Sequence, residues 1–285
     1  MKKKLLTAAV LTLCAVALVA GSVFATIAFL ADFSAVSNTF TVGSVGIDMK
    51  ESKVNIDGEL DGDSKVDGNS YHLVPNKTYI KDPTITIDKT EAKDMMYLFV
   101  KSSNQIRGVE EGNLRDSNGD LIAENPAKTM RQQMESYGWV EFIQSGDGVE
   151  IIWVYGSRNP ETGVITPTAV NCESKQNVLN AAGELVEGNL AKGEFRLCDN
   201  FRIGNVDSNK LGFYGGLTVT FTGFAIQTTQ VPDAGNQRVA TSWKAIKDTF
   251  PVNCAIANPV NPYNPDMKNE DAYLPYVPGN SSDAG

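Results

Sequence analysis

The chain of 285 residues carries 25 Lys and Arg against 34 Asp and Glu, a formal charge of −9, and one histidine. An acidic chain without a basic cluster is unsuited to nucleic acid or to an anionic membrane surface. Its length allows one large domain or two small ones.

Lys2, Lys3 and Lys4 precede an apolar run from Leu5 to Ile27, with small residues at its exit. This pattern predicts a secretory signal over residues 1–28, cut between Ala28 and Phe29. The competing reading is a retained anchor, because about 20 apolar residues span a bilayer. Thr7, Thr12, Gly21, Ser22 and Thr26 weaken such a span, so membrane contact is expected only through the uncleaved signal. Losing the three lysines leaves 22 basic against 34 acidic residues, a charge of −12, which favours solubility outside the cell. Cys14 follows Leu13, where a lipid-anchoring site wants a small residue. Cys172, Cys198 and Cys254 remain, and one disulfide or three buried thiols fit them equally.

Residues 29–44 read as an extended segment with apolar pegs. Phe29, Ala31, Phe33 and Ala35 alternate with Leu30, Asp32 and Ser34, and Val36, Phe40 and Val42 continue the apolar series. Val45, Ile47 and Met49 then alternate with polar residues, as in a strand with one buried face. A polar loop is expected over 57–70, and a turn and strand over 73–87. Met95 to Val100 is continuously apolar and reads as a central strand buried on both faces. Helices are expected at 128–137, 174–182 and 239–250, the last stopped by Pro251. Strands are predicted at 140–143 and 149–155 about a hairpin turn, and at 194–197 and 217–227. Residues 251–285 read as a Pro- and Asn-rich tail. Many strands with few inserted helices predict a mainly β fold, an antiparallel sandwich.

Several fixed letters carry a family resemblance: Ala28-Phe29, Asp32, Ser34-Ala35, Asn38-Thr39-Phe40, Gly43 and Val45-Gly46-Ile47-Asp48. To these add Lys81-Asp82-Pro83, Tyr97 to Lys101, Phe224 to Gln227 and Ala240 to Ile246. The chain resembles the TasA/camelysin family of Gram-positive bacteria, exported with a SipW-type signal peptidase. Asn76 stands where the family has glycine, and Asn also tolerates a left-handed turn. The resemblance implies a jelly-roll-like sandwich over 45–250, with residues 108–189, which match poorly, as an insertion. It also implies a subunit of extracellular biofilm fibres.

Catalytic patterns are absent. His72 is the lone histidine, without a nucleophile motif nearby, so neither a zinc helix nor a Ser-His-Asp arrangement can be built, and an enzyme is not expected. No cofactor is expected. Asp116, Asn118 and Asp120 have the spacing that opens a calcium loop, but Leu121 and Ala127 occupy the glycine and glutamate positions, so turn chemistry is the preferred reading of the three and calcium the weaker one. The acidic loop from Asp57 to Asp63 is read the same way. Trp139, Trp153 and Trp243 each lie in an apolar element, as core residues do.

The leading expectation is therefore a secreted, non-enzymatic subunit that polymerises head to tail with copies of itself. Phe29, Phe33, Val36, Phe40 and Val42 form the strand donated to the next subunit. Each aromatic peg, fully buried, would contribute about 1.5–3 kcal/mol. An intramolecular first strand is the competing reading of the same residues. Other matrix or anchoring proteins are further expected partners. The rival functions are a camelysin-type surface peptidase and a monomeric surface or spore-coat component.

Overall fold

The computed structural model describes residues 33–35, 38–40, 46–88, 94–124, 126–180, 184–231 and 235–268. In chain order the strands begin with β1 (Phe33–Ala35), β2 (Asn38–Phe40), β3 (Ile47–Val54), β4 (Leu60–Val66), β5 (Ser70–His72) and β6 (Thr78–Ile80). Next come β7 (Thr84–Ile87), β8 (Met96–Asn104), helix α1 (Met130–Ser136), β9 (Trp139–Ser145), β10 (Glu150–Arg158) and β11 (Ile165–Pro167). The remainder is β12 (Asn177–Leu179), β13 (Leu185–Glu187), β14 (Glu194–Arg196), β15 (Asn200–Arg202), α2 (Ser208–Gly212), β16 (Val219–Gln227), α3 (Arg238–Thr249), β17 (Pro259–Asn261) and β18 (Asn264–Lys268).

The fold is mainly β, a sandwich with few short helices, as the sequence predicts. The larger sheet runs β18-β17-β9-β10-β8-β16-β2, with β11 also on β10, and the smaller runs β14-β7-β3-β4. Period-two alternation explains how the large sheet serves two cores. From β8, Met96, Leu98 and Val100 face the smaller sheet, while Tyr97 and Phe99 face away. From β10, Ile151, Trp153 and Tyr155 join the first set, and Ile152 and Val154 the second. Both faces are covered, so the apolar run from Met96 to Val100 is buried throughout.

The outer face of the large sheet is closed by α3. Val239, Ser242, Trp243 and Ile246 form its buried stripe, and the Trp243 ring lies 5.5 Å from Phe99 and 5.6 Å from Phe224. Helix α1 starts with a capping box, in which the Thr129 hydroxyl accepts the Gln132 amide and Gln132 Oε1 accepts the Thr129 amide. Gly138, at φ 77°, lets the chain turn out of α1 into β9. Asn76, at φ 61°, holds the left-handed turn expected of it.

Four expectations are corrected or refined. Of the helix expected over 174–182, the described residues 174–180 form none; β12 pairs with β13 instead. The buried Gln176 amide donates to the carbonyls of Tyr137 and Arg196, and Tyr155 Oη accepts the Asn177 amide, so tertiary hydrogen bonds hold this chain extended against its propensity. The polar stretch after Asp57 includes β4, whose backbone pairs with β3 although six of its seven residues are exposed. Within residues 108–189, expected as an insertion, β9 and β10 lie in the middle of the large sheet. The tail contributes β17 and β18 to the sheet edge, while residues 269–285 lie outside the described residues.

Candidate functional site

The N-terminal segment meets the body of the molecule at two sheet edges. Strand β1 is antiparallel to β5, with Phe33 opposite His72, Ser34 opposite Tyr71 and Ala35 opposite Ser70. Strand β2 is parallel to β16, with Asn38 opposite Phe221, Thr39 opposite Thr222 and Phe40 opposite Gly223. The other ladders among the described strands are all antiparallel. A parallel pairing needs a crossover and is slightly less stable per residue, so β2 is weakly held by its own geometry. Phe33 and Phe40 are placed by backbone register alone. Phe29, Val36 and Val42, the Ala28–Phe29 cut and the signal itself lie outside the described residues.

The receiving surface is firmly built. Strand β16 pairs with β8 along its whole length, from Val219–Asn104 to Gln227–Met96. At Gly223, opposite Phe40, a β-carbon would meet Met49 Cε at 3.0 Å, so core side chains from β3 press against the backbone that receives the segment. Behind β5, the rings of Tyr71, Tyr79 and Phe201 pack at 5.0–5.8 Å. Tyr71 Oη donates to the Ile80 carbonyl at 2.9 Å. Tyr79 Oη donates to the His72 carbonyl at 2.7 Å and accepts the Val74 amide at 2.6 Å. Burial pushes the Tyr79 hydroxyl up to about 12 and raises Tyr71 further, so both stay protonated donors.

Beneath this platform lies a buried polar cluster. The alternation that turns Ile47 and Met49 inward also sends Glu51 inward, and the step from Tyr79 does the same for Lys81. Both side chains are fully buried and form an ion pair. Asn69 donates from Nδ2 to Glu51 Oε1 and to the Ser52 carbonyl, each at 2.8 Å, and accepts the Val54 amide on Oδ1 at 2.9 Å. Asp82 accepts the Ser52 amide and hydroxyl, and Lys65 reaches it at 3.3 Å. Sequence reasoning passed over Glu51 and Asn69. The alternation starting at Ile47 could have flagged Glu51, since it assigns a carboxylate to the core face.

The chemical candidates are scattered. His72 ends β5, far from any nucleophilic arrangement, its amide bonded to the Ile56 carbonyl. Cys172, Cys198 and Cys254 are free and buried, the thiol arm of the two sequence readings. Burial raises the Cys198 thiol and pushes Cys254 up to about 12, the reverse of a reactive thiolate. The Asp116 carboxylate is spent inside its own turn, where Oδ1 accepts the amides of Asn118 at 2.8 Å and Asp120 at 3.0 Å. These amide bonds hold it below the usual carboxylate range. In the other acidic loop, Asp57 pairs with Lys77 and Asp61 with Lys53. Among the described residues, no group of three or more His, Cys, Asp and Glu is gathered to hold a metal ion. No described helix is long and apolar enough to cross a membrane.

Compared with known proteins, the chain matches no family model, no curated protein and no solved structure.

Proposed function

We propose that the chain is an exported structural subunit of extracellular fibres, as its resemblance to the TasA/camelysin family implies. In this reading the N-terminal segment is exchanged between copies. The observation that carries it is the attachment of residues 33–40: two three-residue ladders, on β5 and on β16, tie the segment to the body. A strand so briefly held at a chain end can leave its slot and enter the same slot of a neighbour at little net cost in contacts. Repetition of that contact is heterologous and grows a filament. Freeing the segment would require cleavage at Ala28, which links export to assembly.

The pairing within one chain also fits a monomeric surface protein, and one experiment separates the two. Thr39 and Thr222 are register partners, so Thr39→Cys with Thr222→Cys places a thiol on each side of the parallel ladder. Exchange gives a disulfide-linked ladder of oligomers on non-reducing gels of secreted material. Monomers carrying only an internal link would sink the fibre reading.

A further inference from the structure

Lys81, Glu51 and Asn69 meet at one carboxylate within the core. Glu51 Oε2 contacts Lys81 Nζ, and Glu51 Oε1 accepts Asn69 Nδ2 at 2.8 Å. The amide orientation of Asn69 is fixed by its backbone partners. The Val54 N–H can only donate, so it marks the oxygen; the Ser52 carbonyl can only accept, so it marks the nitrogen. Residue exposures of 1% for Lys81, 0% for Glu51 and 7% for Asn69 exclude bulk water. The Phe221 ring lies 5.5 Å from Nζ, and the buried Tyr71 hydroxyl interacts with Glu51 and with the Asn69 side chain.

The geometry points to an intramolecular isopeptide bond between Lys81 Nζ and Asn69 Cγ, formed with Glu51 as the proton carrier. In a dry site an ion pair can relax by proton transfer, leaving a neutral amine beside a neutral carboxylic acid. The amine lone pair on Nζ attacks Cγ, and the Val54 N–H is aimed at Oδ1, where negative charge develops. Glu51 Oε1 already faces Nδ2, so it delivers the proton that the leaving nitrogen needs. The Cγ–Nδ2 bond breaks, ammonia departs, and the Cγ–Nζ amide remains; Glu51 takes up the second Nζ proton. No oxidant, reductant or cofactor enters the balance. Condensation also removes the buried ammonium, whose desolvation is the standing cost of this pair.

The bond would close the span from Asn69 to Lys81 around β5 and β6, the platform that receives β1. It stands on the cluster alone and does not depend on fibre assembly.

Tryptic mapping of the secreted full-length protein tests it. An unlinked chain is cut after Lys65, Lys77, Lys81 and Lys89, and yields peptides 66–77 and 78–81. A linked chain resists cutting at the acylated Lys81 and yields 66–77 joined to 78–89, lighter than the sum by one ammonia. Tandem spectra then place the junction at Asn69 and Lys81. Full recovery of free 66–77 with intact Asn69, together with 78–81, overturns the proposal. Glu51→Gln should abolish the branched peptide while circular dichroism stays native-like. Branching as complete as in the parent would refute the role of Glu51. Should that variant not fold, the map of the parent protein still decides.

Discussion

Asp82 grips Ser52 with both carboxylate oxygens, one accepting its backbone amide and the other its hydroxyl, each at 2.7 Å. The two residues lie on chain segments that are not hydrogen-bonded as strands at this point, so the carboxylate does the joining. Lys65 at 3.3 Å and Arg196 at 3.8 Å gather on the same oxygen, and tie β4 and β14 to the junction. The Lys-Asp-Pro motif thus divides its work: Lys81 enters the core, and Asp82 clamps the middle of β3.

Replacing that clamp should be measurable. Asp82→Ala removes two charge-assisted hydrogen bonds and should lower unfolding free energy by about 2–4 kcal/mol. Ser52→Ala keeps the amide bond and should cost about 1 kcal/mol. Urea unfolding with an unchanged slope reads both; equal midpoints for parent and Asp82→Ala would contradict the clamp.

Glu110 supplies a pH dependence. It is almost wholly buried, and burial pushes its carboxyl up to about 7 against amide bonds from Met130 and Asn104 that pull it down. The folded state therefore holds this proton more tightly than the unfolded chain, whose carboxyl titrates at 4.5. Its stabilising contribution is complete below pH 4.5 and is lost as pH rises through about 7. The loss is on the order of 3 kcal/mol. Glu110→Gln should flatten melting temperature against pH over that window and be more stable than the parent at pH 8. The buried Asn104 Oδ1 lacks a hydrogen-bond partner, so a flip of that amide can meet the new Gln Nε2 donor. A variant with the parent's slope would count against Glu110 as the titrating group.

Two tryptophans should answer differently to the same change. Trp153 Nε1 donates to Ser102 Oγ at 2.8 Å, whereas Trp243 Nε1 is buried without a partner. Both leave a cavity when cut to Phe, but only Trp153→Phe also removes a buried hydrogen bond, leaving the Ser102 hydroxyl with its long donation to the Ile151 carbonyl alone. It should therefore cost about 1 kcal/mol more than Trp243→Phe. Equal losses in denaturant midpoints would mean that volume alone governs both sites.

Deleting residues 29–39 should leave a folded domain whose melting temperature stays within a few degrees, because of the described structure it removes only β1 and most of β2, each held by a three-residue ladder, and leaves every core residue named above in place. Electron micrographs should then show no filaments. Filaments that survive the deletion would refute exchange of this segment.

The sandwich was legible because its central strands advertise themselves. Met96 to Val100 has no polar interruption, and Ile47, Met49, Ile85 and Ile87 keep the alternation of a one-faced strand. What escaped the sequence was structure decided by partners. Strand β4 has almost no buried side chain and exists through backbone pairing with β3. The 174–182 segment has helical composition, but Gln176 and Asn177 are claimed by distant groups. Asn69 reads as an ordinary turn residue, because its neighbour Glu51 is eighteen residues away and the two meet only after β3 and β4 have paired.

Strand β4 also sets a direction. Its exposed side chains include Asp61 and Asp63. Two such edges approaching side by side would bring like charges together and strip their hydration, so lateral stitching of one subunit to the next is disfavoured there. Under the fibre proposal, one edge guarded in this way and another covered by an exchanged strand would favour a thread over a mat.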